Sequence, residues 1–235
     1  MSTYLELCQA VARDSGTIPS LTDPSTVTSQ TGRLLRVVTW VNDAWREIQT
    51  QRDDWRWMFG MFTAASKALS GTQSYTPTAL GITTRFAGWT GLYEVGKSQW
   101  SIFLTSDGQS TERTMTYVPW DVFYQQYLVG SFDNGFPQYF TVAPDEKIYL
   151  HPTPDATYTV RGFYQKSPQA LTVDGDVPEM PARFHDAIKW KALVLMAVFD
   201  EAFEQIPAFD LQHNRVMSDL VSTQTPVARM AGPLA

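Results

Sequence analysis

Residues 135–196 read GFPQYFTVAPDEKIYLHPTPDATYTVRGFYQKSPQALTVDGDVPEMPARFHDAIKWKALVLM, and this stretch decides the fold. Three short runs, 139–142, 147–150 and 158–164, are rich in aromatic and β-branched residues, and Pro, Asp and Gly separate them. They predict three short paired strands. A polar loop follows. From Pro181 the pattern is that of a helix, because proline is tolerated in a first helical turn. The helix is apolar on nearly every side between Ala192 and Phe203, which requires burial on more than one face. The spacing runs it to about Gln205, where Pro207 breaks it, and a weaker helix follows over 209–221.

Working towards the N-terminus, Leu34, Val37, Val38, Val41, Ala44, Trp45 and Ile48 form a stripe of helical period, with Arg36, Asn42, Asp43, Arg46 and Glu47 filling the other face. The predicted helix, 32–54, is about 34 Å long at ~1.5 Å per residue. It should pack against the apolar helix after Pro181. Tyr4, Leu5, Cys8, Val11 and Ala12 predict a shorter helix that ends at Ser15-Gly16. Between the two, residues 17–31 are a Ser, Thr, Pro and Asp-rich connection, read first as a surface loop and, from its length, as a candidate interaction loop.

Residues 54–62 alternate, with Trp55, Trp57 and Phe59 on one side, so a strand is expected to begin there. Runs at 83–89, 92–95, 100–104 and 114–118 then alternate with turn residues and predict a small antiparallel sheet or sandwich. Trp120, Phe123, Tyr124 and Tyr127 lie at helical spacing, with Asp121 placed to meet the N-terminal end of the dipole. One or two helical turns are expected, then a loop over 130–135. The chain therefore reads as α+β. Residues 1–58 and 180–222 form a helical framework, 59–179 an inserted antiparallel β region, and 223–235 (TQTPVARMAGPLA) an extended tail without periodicity.

Composition sets the bounds of function. The chain has 235 residues, enough for a full core, and its 43% hydrophobic content is that of a globular protein. A net charge of −6 without a basic run argues against a phosphate-tracking surface. The single cysteine, Cys8, has no partner for a disulfide and falls in an apolar stripe, so it reads as a small buried hydrophobe. The start MSTYLELCQA lacks the basic segment of a signal peptide, and no apolar run approaches the roughly 20 residues of a membrane span. A reducing cytoplasm fits these features.

One motif spells an enzyme. Gly91-Leu-Tyr-Glu-Val-Gly96-Lys97-Ser98 matches a phosphate-binding loop, and 193–199 followed by Asp200-Glu201 mimics its apolar strand and magnesium-binding acid. Such a loop needs a buried strand before it and a helix after it. Here the residues after Ser98 alternate like a strand, and Asp200 continues a helical pattern. The histidines His151, His185 and His213 lack metal-ligand spacing and read as surface or helix-end residues. The acid pairs Asp53-Asp54, Asp145-Glu146, Asp174/Asp176 and Asp200-Glu201, with the abundant tryptophans, evoke a glycan-cleaving site. Neighbouring acids are more often solvated turn charges. We assign no catalytic residue, cofactor or metal from sequence; an NTPase assembly factor and a carbohydrate-binding tail component stand as alternatives.

The opening stretch also resembles the head-to-tail adaptor family of tailed bacteriophages. The matching residues are Gly135, Pro137, Tyr139, Ile148, Leu150, Pro152, Pro154, Tyr164, Pro181 and 185–188. The match extends to the helix ending at Asp54-Trp55, while 60–130 have no close counterpart. The resemblance implies a non-enzymatic virion protein of the neck, assembled in the host cytoplasm. It implies a ring, of the portal's twelve-fold symmetry, that joins the portal protein to tail or nozzle proteins and lets DNA pass as cargo. An acidic wall would let DNA pass without sticking. Val227, Arg229, Met230 and Leu234 in the tail are the expected anchors for the portal or a neighbouring subunit.

Overall fold

The computed structural model of the chain describes residues 2–16, 23–68, 70–92 and 98–225, and it is α+β. Two compact units make it up: Met1–Met58 with Pro168–Ala235, and Phe59–Ser167.

The first unit is helical. Helix α1 (Tyr4–Asp14) starts with a capping box: the Thr3 hydroxyl accepts from the Glu6 amide at 3.2 Å and the Glu6 carboxylate accepts from the Thr3 amide at 2.8 Å. Helix α2 (Gly32–Thr50) buries Val37, Val38, Val41, Ala44, Trp45 and Ile48 of the expected stripe, together with Trp40 and Gln49. It ends before the expected Asp54. Trp55 folds back so that its indole N–H donates to the Ile48 carbonyl at 2.9 Å, taking one of the acceptors that a helix end leaves open. The expected strand alternation at 54–58 is replaced by a 3₁₀ turn, Arg56–Met58, whose Trp57 ring stacks on that of the preceding Trp55 at 4.6 Å.

Helix α4 (Asp186–Phe199) packs against α1, α2 and α5 (Ile206–Gln224), as its apolar surface requires. The expected continuation to Gln205 does not occur. Asp200 caps the helix, Glu201 takes the left-handed region at φ 56°, and the chain turns. Pro207 therefore does not break α4; it sits in the first turn of α5, where its missing N–H has no consequence. Cys8, Val41, Trp45, Ile188 and Leu193 are fully or almost fully buried in one core with Leu220 of α5.

Residues 168–179, which the sequence places with the β region, instead bond to the helices. The Gln49 side chain accepts from the Gln169 amide (2.7 Å) and donates to the Gln169 carbonyl (3.0 Å), Asn42 accepts from the Leu171 amide, and the Asp176 and Asp174 carbonyls receive the Tyr4 and Leu5 amides of α1.

The second unit is a pair of sheets. Strand β9 (Tyr158–Lys166) is central. It pairs antiparallel with β1 (Phe59–Ala68) along one side, and with β3 (Phe86–Thr90) and β4 (Ser101–Leu104) along the other; β4 carries β5 (Arg113–Thr114). The second sheet runs β2 (Ser74–Tyr75), β8 (Ile148–His151), β7 (Tyr139–Val142), β6 (Thr116–Tyr117). The β6–β7 pair is parallel, so the region is mixed rather than wholly antiparallel.

Trp100 lies at the heart of this core, stacked on Phe140 at 4.8 Å and edge-on to Phe62 and Trp89. Gly162 permits this approach, since a Cβ there would lie 2.6 Å from the Trp100 ring. The expected helical turns are α3 (Trp120–Phe123), with Asp121 in its first turn, and a π-turn, Tyr124–Leu128.

Candidate functional site

The described ends of the phosphate-loop spelling lack the context of a phosphate site. Residues 93–97 lie outside the described residues, but both ends of the motif are in place. Gly91 has φ +69° and its carbonyl accepts from the Gln99 amide at 2.9 Å. The buried Ser98 hydroxyl donates to the Met115 carbonyl. The next element along the chain is β4, so the motif opens a strand where phosphate binding needs a helix N-terminus. The mimic of an acid strand is the end of α4, and Asp200 is gripped by Arg33, whose hydrogen bond lowers its pKa.

In the other acid pairs Asp54, Asp145, Asp174 and Asp176 are likewise engaged in local structure. Asp54 binds Arg52 at 2.7 Å, Asp145 binds Lys147 at 2.6 Å, and hydrogen bonding in each pair holds the carboxyl below its ordinary range. Asp174 accepts from Thr26 and the Val27 amide, and Asp176 accepts from the Thr172 and Val173 amides, which lower its pKa.

The three histidines are all buried, not at the surface as their type suggests. His185 lies at the start of α4, with Nδ1 accepting from the Ser2 amide and Nε2 facing the Met180 carbonyl. His213 Nδ1 joins α5 to the Ala187 carbonyl of α4. His151 stacks on Tyr127 at 4.4 Å. Burial pushes all three pKa values down. Among the described residues, no group of three or more His, Cys, Asp or Glu could hold a metal ion. Cys8 is fully buried, and burial raises its thiol pKa to about 12, which makes it an inert packing residue.

What the molecule offers instead is apolar surface. At the end of α4, Phe199 is held between Trp40 (5.7 Å) and the Arg36 guanidinium, 4.0 Å from its ring. It is still 49% exposed, and Phe203 beyond the turn is 62% exposed. In the β unit, Trp120 lies on Tyr149 while Val122, Tyr124, Val129 and Phe132 remain exposed around the π-turn. Strand β1 presents Phe59 and Met61, the latter 70% exposed. Groups of exposed large apolar residues mark interaction surfaces.

The anchors expected from sequence, Val227, Arg229, Met230 and Leu234, lie outside the described residues. Thr223 and Gln224, expected in the tail, belong to α5, and the Thr223 hydroxyl donates to the Asp219 carbonyl at 2.8 Å. Sequence reasoning missed the α4 corner and the edge of β1. For β1 a signal existed, since FGMFTAASKA carries a single charge over ten residues. The corner had none, because Phe199 and Phe203 continue the apolar pattern of a core helix.

No helix among the described residues is long and apolar enough to cross a membrane. No curated protein matches the sequence. A family model described as SU10 adaptor protein matches residues 2–234, almost the whole chain, including the 60–130 region for which the sequence alone offered no counterpart. The chain belongs to the SU10 adaptor protein family, a family of phage head-to-tail adaptors.

Proposed function

We propose that this protein is a non-enzymatic structural component of the virion neck that forms a ring on the portal and continues the DNA channel towards the tail. The observation that carries the reading is the family match over residues 2–234. The helical unit acts as the rigid framework, because α1, α2, α4 and α5 share one core around Trp45 and Leu193. The β unit and the exposed corner at Phe199 supply contact surface to the portal protein, to neighbouring copies and to tail or nozzle proteins. DNA passes as cargo only, since the net charge is −6. Twelve copies would match the portal's symmetry, and assembly would take place in the host cytoplasm.

The tail from 226 onward binds as an extended segment through Val227, Arg229, Met230 and Leu234. Fixing a backbone residue opposes binding by about 1–2 kcal/mol, so these few anchors must be buried on docking. Gradient sedimentation with purified portal tests the reading. Comigration of the full chain, lost on deleting 226–235, is the expected result. Failure of the full chain to comigrate would contradict the adaptor role, and comigration of the deleted chain would contradict the role of the tail.

A further inference from the structure

Among the described residues, the outward edge of β1 is an open strand. Among the described residues β1 pairs only with β9, so alternate residues direct their N–H and C=O groups away from the sheet. Residues 59–64 pair in regular register with β9, and an irregularity then separates Ala64 from Ala68. The regular run therefore offers six residues, FGMFTA, none of them charged. Natural edges are blunted by charge, proline or a bulge. Here Lys67 and the irregularity protect only the far end. Within the regular run the side chains alternate: Phe59, Met61 and Thr63 are exposed, while Gly60, Phe62 and Ala64 are buried. An incoming strand would meet an apolar flank on both faces.

The chain supplies a segment of the same length. After Thr225 come PVARMAGPLA, in which Pro226 and Pro233 lack amide donors and bracket six residues, 227–232, whose amides can all join a ladder. These six carry one charge, Arg229. Alternation puts Val227, Arg229 and Ala231 on one face and Ala228 and Met230 on the other. The guanidinium needs water, so its face is the exposed side of Phe59, Met61 and Thr63, and Met230 goes to the side of Phe62 and Ala64.

We propose that the open edge of β1 receives residues 227–232 of a second copy of this chain, clasping neighbours by strand addition. The proposal rests on the reading that copies assemble in a ring, and it names where the tail docks.

Cross-linking between two preparations tests it. One full-length preparation carries Cys8→Ala and Thr63→Cys. The others carry Cys8→Ala with a single tail cysteine: Val227→Cys, Ala228→Cys, Arg229→Cys or Met230→Cys. Because the cysteines lie on different copies, only contact between copies joins them. The pairs are mixed with portal, oxidised and read as covalent dimers on a non-reducing gel, with ring formation followed separately by electron microscopy. The expected result is a dimer band for Thr63→Cys with Val227→Cys or Arg229→Cys, its loss with Ala228→Cys and Met230→Cys, and its loss when Thr63→Cys is replaced by the exposed control Ser110→Cys, in the 3₁₀ turn Gly108–Thr111. Rings without a dimer band, or with equal bands at all four tail positions, would overturn the clasp and leave the adaptor role standing. Absence of rings would overturn both.

Discussion

The helical and β units differ in how their cores tolerate change. In the helical unit the core is made by repeating side chains at helical spacing, and two tethers, Gln49 and Asn42, fasten residues 168–179 to α2. In the β unit the core depends on the absence of side chains. Gly162 admits the Trp100 ring, and Gly60 admits Tyr164, to which a Cβ would come within 2.5 Å. A helical stripe accepts many apolar residues; a close approach over glycine accepts one.

The largest expected effects come from emptying each core. Trp45→Ala and Trp100→Ala should each cost about 4 kcal/mol, the range for removing a large buried ring. Denaturant unfolding measures the total, and amide exchange assigns the loss: to α2 and α4 for the first, to β4 and β9 for the second. Exchange rising equally in both units for either variant would break the comparison.

Gly162→Ala should come next, at about 3 kcal/mol from overpacking against Trp100 and Phe62. Gly88→Ala is its control. Gly88 has open space around its missing Cβ and no positive φ, so the thermal midpoint should hardly move. A tolerated Gly162→Ala would show that the β core is looser than its geometry implies.

Gln49→Ala, which leaves the Gln169 amide and carbonyl without their partner, should cost about 2 kcal/mol. Exchange should rise at 168–171 before it rises in α2. Thr3→Ala should cost about 1 kcal/mol by removing the cap of α1, and a change beyond twice that would mean the cap also holds neighbouring structure.

The pH dependence distinguishes the units further. His185 and His213 in the helical unit, and His151 in the β unit, have pKa values lowered by burial. Folding therefore keeps them neutral where the unfolded chain would bind a proton. Their contribution is complete above the ordinary histidine pKa of about 6.5 and is lost as pH falls below it towards the folded values. Exchange measured from pH 7 to 5 should show the helical unit loosening more, and His213→Gln should flatten that slope.

The helices are legible in the sequence because their periodicity is local: Val37 to Ile48 states its buried face outright, and Ala192 to Ala197 states that it has more than one. The strands at 139–142, 148–151 and 158–166 are legible for the same reason. The features that escape sequence reading are decided by contacts distant along the chain or by single backbone choices. Trp55 alternates like a strand residue, yet its indole takes the Ile48 carbonyl. The end of α4 depends on one left-handed residue, Glu201, and on Arg33 reaching Asp200. The parallel β6–β7 pair has no local signature. The candidate site is the least legible part, because exposure, which makes Met61 and Phe203 conspicuous, is a property of the folded surface.

Electron microscopy of the full-length chain with and without purified portal tests the central claim most directly. The adaptor role predicts closed rings of this protein seated on the portal end, with density continuous around the channel. Portals that remain bare at saturating concentrations of the chain would contradict it.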